Sequence, residues 1–437
     1  LEWELVLLLI FSALIILMVT GMPIAFCFML INIVGMYVFF GGMLGLEQLV
    51  TSIYSSLNTF VLLPIPLFIL MGEIMFHSGI APVLIETIDK WLGRIPGRLS
   101  LLSVAVGTVL STLTGTSLAS VAMLGSVLVP EMEKHGYHKS MSLGPILGSG
   151  GLAMMIPPSA LAVLCGAIAE LSIGKLLIAI IFPGLLMAFI YALYIIVRCI
   201  VQPSIAPTYT VKKVSFRDKL VSTLKYVLPQ GIVVFLVVGV IFLGIATPSE
   251  AAATGCVGTI ALAVIYRRLG WAVLKKSLAG TLSVTGMLFL IMGGATAFSQ
   301  ILSFSGATTG ITELATGINV APMFIIILMQ IIILFLGGFL DVVSIMMITL
   351  PIFIPVIETL GFDPIWFAVI FLINIEMAGI SPPFGLSLFV MKGVAPGETT
   401  MGDIYRAALP FIGLSIIAMA MVMAFPRIAL WLPGLMQ

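Results

Sequence analysis

Two short segments carry the residues with the most chemical consequence, Ile156-Pro-Pro-Ser159 and Ser381-Pro-Pro-Phe-Gly385. Each lies part-way along an otherwise apolar stretch. A double proline removes two backbone donors and clashes with the preceding turn, so it interrupts a helix and frees carbonyl oxygens. In lipid those oxygens need a partner, and a dehydrated cation is a suitable one. The half-helix that starts after each break turns a partial positive end toward an anion. One pair alone could merely kink a helix. Two pairs in register, 225 positions apart (157 to 382), point to paired sites.

Each break needs a facing element, and two polar, glycine-containing interruptions supply it: Ser111-Thr-Leu-Thr-Gly-Thr-Ser117 and Gly337-Gly-Phe-Leu-Asp341. Small residues permit close approach, and hydroxyl or carbonyl oxygens line the tips. The pattern predicts two pseudo-symmetric cation sites built mainly from backbone oxygen. The first draws on Ser111, Thr114, Gly115, Thr116, Ser117 and Pro157, the second on Gly337, Gly338, Asp341, Ala378, Ser381 and Phe384. An anionic substrate between them would meet Thr116, Ser117, Pro158, Ser159, Pro382, Pro383 and Gly385. Asp341 and Glu376 are ionisable groups embedded in apolar sequence, where they are expensive. Asp341 would either balance cation charge or hold its tip through backbone hydrogen bonds, with the structural role slightly favoured. Glu376 would cap the break or carry a proton. Glu250 follows Thr247-Pro-Ser and reads as the first turn of a helix.

The elements that must position these residues are membrane helices. The chain has 437 residues, 61% hydrophobic and 8% charged, and a mean hydropathy of +1.27. So few charges cannot form the shell of a soluble domain, and several apolar runs approach the ~20 residues that span a bilayer. Near-neutral charge argues against nucleic acid. The four cysteines stand singly in apolar segments and read as packing residues, as do the 26 methionines. No catalytic, phosphate-loop or haem motif stands out, so the chain is expected not to be an enzyme. The N-terminus lacks a basic region and cleavage site, so the first helix is expected to be retained.

Lysines and arginines cluster around 90–98, 134–139, 198–225, 267–276 and 392–406, and positive charge favours cytoplasmic loops. With all five clusters on one side, full spans fall near 4–20, 22–40, 58–77, 141–168, 176–198, 227–245, 250–266, 280–303, 365–391 and 407–431. The intervals 99–130 and 321–357 then become re-entrant helical hairpins entering from opposite faces, and the N-terminus lies outside. Only Lys175 and Arg427, of 19 basic residues, fall on the outer side. Reading either hairpin as one crossing helix destroys this asymmetry.

Landmarks recur at a single offset: Pro130 and Pro355, Gly136 and Gly361, and the two proline pairs. The expected organisation is N-terminal scaffold helices at 1–57 and a first repeat at 58–200. A cytoplasmic linker at 201–226 follows, then central scaffold helices at 227–279 and a second repeat at 280–437. The charge-based topology inverts the halves, an arrangement recurrent in secondary transporters.

The segments Gly115-Thr-Ser-Leu-Ala-Ser, Ile156-Pro-Pro-Ser, Gly244-Ile-Ala-Thr-Pro-Ser-Glu-Ala-Ala-Ala, Gly337-Gly-Phe-Leu-Asp and Ser381-Pro-Pro-Phe-Gly resemble the large membrane subunit of tripartite ATP-independent periplasmic (TRAP) transporters. The resemblance covers essentially the whole chain. It implies sodium as the coupling ion, an organic-acid substrate such as sialic acid or a C4-dicarboxylate, and an elevator motion of the hairpins and broken helices. It also implies the bacterial inner membrane, a periplasmic binding protein and a small four-helix membrane subunit, here expected as a separate polypeptide. The first tip reads Thr114-Gly-Thr-Ser where serines are frequent in the family, which leaves the same oxygen donors. The alternative is a stand-alone sodium/dicarboxylate symporter of the divalent-anion class, which would transport without a binding protein. A channel would need a continuous polar pore, and an intramembrane enzyme a catalytic constellation.

Overall fold

The computed structural model describes residues 2–93, 95–114, 117–209, 214–317 and 320–436, with side chains throughout except at 111–114. Its described residues are helical, with no strand. The first half runs α1 (Trp3–Val19), α2 (Ile24–Phe39), α3 (Met43–Leu57), α4 (Pro64–His77), α5 (Ile80–Asp89), α6 (Arg98–Thr114), α7 (Ser117–Lys134), α8 (Lys139–Gly151), α9 (Ala160–Ile168), α10 (Ile173–Ala179) and α11 (Ile181–Val201). After α12 (Phe216–Ser222), the second half runs α13 (Leu228–Phe242), α14 (Pro248–Ile265), α15 (Trp271–Phe304), α16 (Ala307–Gly317), α17 (Pro322–Gly337), α18 (Val342–Thr359), α19 (Pro364–Gly379), α20 (Leu386–Val394), α21 (Met401–Ala424) and α22 (Arg427–Leu430). Among the described residues, seven helices are long and apolar enough to cross a bilayer, and five shorter ones are apolar. The chain is a multi-pass membrane protein.

The predicted offset of 225 recurs in the helix boundaries. Ser117–Lys134 maps onto Val342–Thr359 (117 to 342), and α13 begins 225 positions after α1 (3 to 228). Gly136 and Gly361 both take the left-handed conformation, with φ of 73° and 77°. There they end α7 and α18, a backbone position that glycine occupies without a Cβ penalty. Helix starts follow local chemistry. Thr247 and Glu250 form the capping box at α14, Thr400 and Asp403 another at α21, and Asp363 caps α19.

Packing is reciprocal between the halves: α7 meets α20 and α18 meets α9, while α2 meets α15 and α14 meets α4. Helices close where glycine removes the side chain. A Cβ at Gly144 or Gly148 of α8 would stand within 2.7 Å of the Phe411 ring on α21, the close approach that membrane helices use.

The structure departs from the expected spans in three respects. Helices α3, α5 and α16 were not anticipated, because each is short or carries polar residues such as Glu47, Gln48, Thr51 and Ser52. Helix α15 extends over 34 residues and crosses the expected 279–280 division without a break. Within the linker, α12 continues through a π-turn at Thr223–Val227 directly into α13. Tyr209 of the linker is tied to α6 and the end of α7: Arg98 donates to Asp89 (2.7 Å) and Tyr209 (3.2 Å), and the His135 and Tyr209 rings stack. Burial pushes the Asp89 carboxyl up, against the pull of Arg98.

Candidate translocation site

Both proline pairs break their helices. Helix α8 ends in a 3-10 turn at Leu152–Met154, and α9 restarts at Ala160, capped by Ser159, whose hydroxyl accepts from the Ala162 N–H at 3.2 Å. Helix α19 ends at Gly379 and α20 starts at Leu386 with no side-chain cap. Both Pro-Pro bonds are cis. In the second break, Gly385 donates to the Ser381 carbonyl at 3.0 Å. The Gly379 and Ser381 carbonyl oxygens each come within 2.8 Å of where a Gly385 Cβ would stand.

The second tip closes onto this break. Gly337 packs directly on Ala378, leaving no space for a Cβ, and Gly338 approaches the Pro382 carbonyl and the Pro383 ring. Asp341 caps α18: its carboxylate accepts from the Ser344 N–H (3.0 Å) and hydroxyl (2.6 Å). Asp341 thus makes a backbone hydrogen bond at its tip.

A cavity of about 490 Å³ lies where these parts meet. Its walls contain Ser117, Leu118 and Ala119 of α7, Ala160 and Leu161 of α9, Val342 and Val343 of α18, and Leu386 and Ser387 of α20. These are the first residues of four helices, so four N-termini converge on one space. Among the described lining residues, Asp341 is the one ionisable side chain. Helices α4 and α15 close the outer wall with Ile69, Val284, Met287 and Leu288.

Of the residues expected to bind, the cavity brings together Ser117, Asp341, Ala378 and Gly385. Pro157, Pro158 and Ser159 are buried behind it, with Met154 and Ala160 taking their place on the wall. Ser381, Pro382 and Pro383 form the turn beyond it, and the Pro383 carbonyl accepts from the Tyr405 hydroxyl at 2.9 Å. Phe384 points outward, 57% exposed, toward the Phe339 ring. Gly115 and Thr116 lie outside the described residues, as do the side chains of Ser111 and Thr114. Sequence reasoning did not name Ala160, Leu161, Leu386 or Ser387. Their position immediately after each break was the available signal, because a helix N-terminus presents its first turn to whatever lies beyond it.

Two proline-broken helices around one cavity, in a multi-pass chain, are features that recur in secondary transporters. The profile described as "Tripartite ATP-independent periplasmic transporter, DctM component" matches residues 11–428, and the chain belongs to that family. It is 32% identical to the C4-dicarboxylate TRAP transporter large permease protein DctM of Pseudomonas aeruginosa, over 89% of this chain and 90% of that one. It is 30% identical to the ectoine TRAP transporter large permease protein TeaC of Halomonas elongata, over 96% and 97%. The fold is similar to the YdaH transporter of Alcanivorax borkumensis, with a TM-score of 0.62 at 15% identity over 90% of both chains.

Proposed function

We propose that this large permease subunit imports a small organic anion across the bacterial inner membrane, driven by sodium. The observation that carries the anion is the convergence of four helix N-termini on a cavity whose described lining has no basic side chain. Partial positive charge from backbone amides then does the work of arginine or lysine. The uncapped start of α20 leaves its first amides for the ligand. Carbonyl oxygens gathered around Gly385, and the close Gly337–Ala378 contact, support cation binding by backbone oxygen at the second break.

Substrates of the C4-dicarboxylate class are favoured by similarity to the Pseudomonas protein, while ectoine and sialic acid complete the set to be assayed. The helix pairs α6–α7 and α17–α18 act as re-entrant hairpins and move with the broken helices as an elevator. They slide on α4 and α15, whose cavity-facing residues are apolar. The N-terminus lies on the periplasmic side. A small four-helix membrane subunit braces the scaffold, and a periplasmic binding protein delivers the substrate.

The test is uptake of labelled organic acids into proteoliposomes containing this chain and its small subunit. An inward sodium gradient and purified binding protein are each supplied or omitted. Uptake that needs both supports the proposal. Uptake driven by sodium without the binding protein indicates a stand-alone symporter, and uptake indifferent to sodium overturns the coupling.

A further inference from the structure

A second pocket, lined partly by basic residues, shares no lining residue with the translocation cavity. Lys225, Tyr226, Ile265, Tyr266, Arg267 and Arg268 surround a cavity of about 220 Å³ where α13 and α14 reach the edge of the apolar region. Its backbone is locally irregular on both sides. Lys225 lies in the π-turn that joins α12 to α13. Arg267 is held in the left-handed conformation, φ 53°, although it has a Cβ. Single-turn π-segments and left-handed non-glycine residues concentrate at functional sites.

The two sides are tied together. The Tyr266 hydroxyl donates to the Lys225 carbonyl at 2.5 Å, and the Tyr226 and Tyr266 rings lie 5.7 Å apart. Three cations are thus gathered in one place, and among the described residues none has a carboxylate within 4.0 Å. Like charges held together without a counter-ion favour an external anion.

We propose that Lys225, Arg267 and Arg268 bind the phosphate of an anionic phospholipid. A lipid is favoured over a soluble phosphate by what adjoins the pocket. Ile265 is 70% exposed, and Leu224, Leu228 and Val264 are exposed beside it, giving acyl chains an apolar surface. Trp271, 78% exposed, begins α15 at the same end, a position that tryptophan favours at headgroup depth. Basic pockets between membrane helices recognise anionic headgroups in this way.

The chain purified in detergent is titrated with phosphatidylglycerol or with phosphatidylcholine of the same acyl composition, and bound lipid is counted by native mass spectrometry. Phosphatidylglycerol should bind the wild type in preference. Each of Lys225→Gln, Arg267→Gln and Arg268→Gln should weaken it roughly fivefold, and Lys275→Gln/Lys276→Gln should leave it unchanged. Equal loss in that control pair, or no preference over phosphatidylcholine, overturns the site. Competition by inorganic phosphate or glycerol phosphate at concentrations matching the lipid overturns the lipid assignment. If Arg267→Gln does not fold, the exposed Lys225 and Arg268 variants carry the same comparison.

Discussion

The carboxyl group of Glu376 lies against the α-carbon of Gly151, in the space a Cβ would occupy. These two residues hold the same place in the two repeats, 225 positions apart (151 to 376). Helices α8 and α19 therefore meet just before both breaks. Both Glu376 oxygens are buried without a hydrogen-bond partner among the described residues, so the contact is close packing and not a polar bridge.

Gly151→Ala should overpack this crossing and destabilise the chain by about 1–3 kcal/mol. Thermal unfolding in detergent measures the loss. The double variant Gly151→Ala/Glu376→Ala should cost less than the two single changes together, because removing the carboxylate restores the space. Strict additivity would mean that the two residues are not in contact.

At the second tip, Gly337→Val must displace Ala378. The sodium concentration for half-maximal uptake should rise about five- to hundredfold, the equivalent of an overpacking cost of 1–3 kcal/mol. Folding is checked by monodispersity on gel filtration. Unchanged sodium dependence in a folded variant would remove the cation site from this contact.

Ala119 borders the 490 Å³ cavity and is only partly covered. Ala119→Phe should fill that space and raise the KM for substrate by about tenfold or more, at little cost in stability. A normal KM would show that substrate passes elsewhere.

Asp341 separates capping from charge. Asp341→Ala removes the acceptor for the Ser344 N–H and should cost about 1 kcal/mol, whereas Asp341→Asn keeps an acceptor and should cost only a few tenths. Uptake by the Asn variant close to wild type supports the capping role. Loss of uptake with stability intact would assign the carboxylate to transport.

Arg98 is buried and joins Asp89 to the linker through Tyr209. Arg98→Ala should lower stability by about 2 kcal/mol, the worth of a hydrogen bond to a charged partner. Arg98→Lys should not recover it, because an ammonium cannot span both partners as the planar fork does. The midpoint of chemical denaturation reads both changes.

Much of this protein was legible in its sequence. Composition determined that it lives in a membrane, since so few charges cannot solvate a globule. Two proline pairs located the breaks, because proline's missing N–H acts on the local backbone wherever the chain is placed. A constant spacing of landmarks exposed the repeat, and the helix boundaries follow the same offset. Hydropathy did not reveal α3, since a 15-residue helix with polar positions produces no long apolar run. Tertiary structure alone decided which residues meet. Gly151 faces Glu376, and Ala160 and Ser387 line the cavity while Pro157 and Phe384 do not. The reason is physical: a break's position is encoded within a few residues, but the direction its neighbours face depends on packing against helices some 225 positions away.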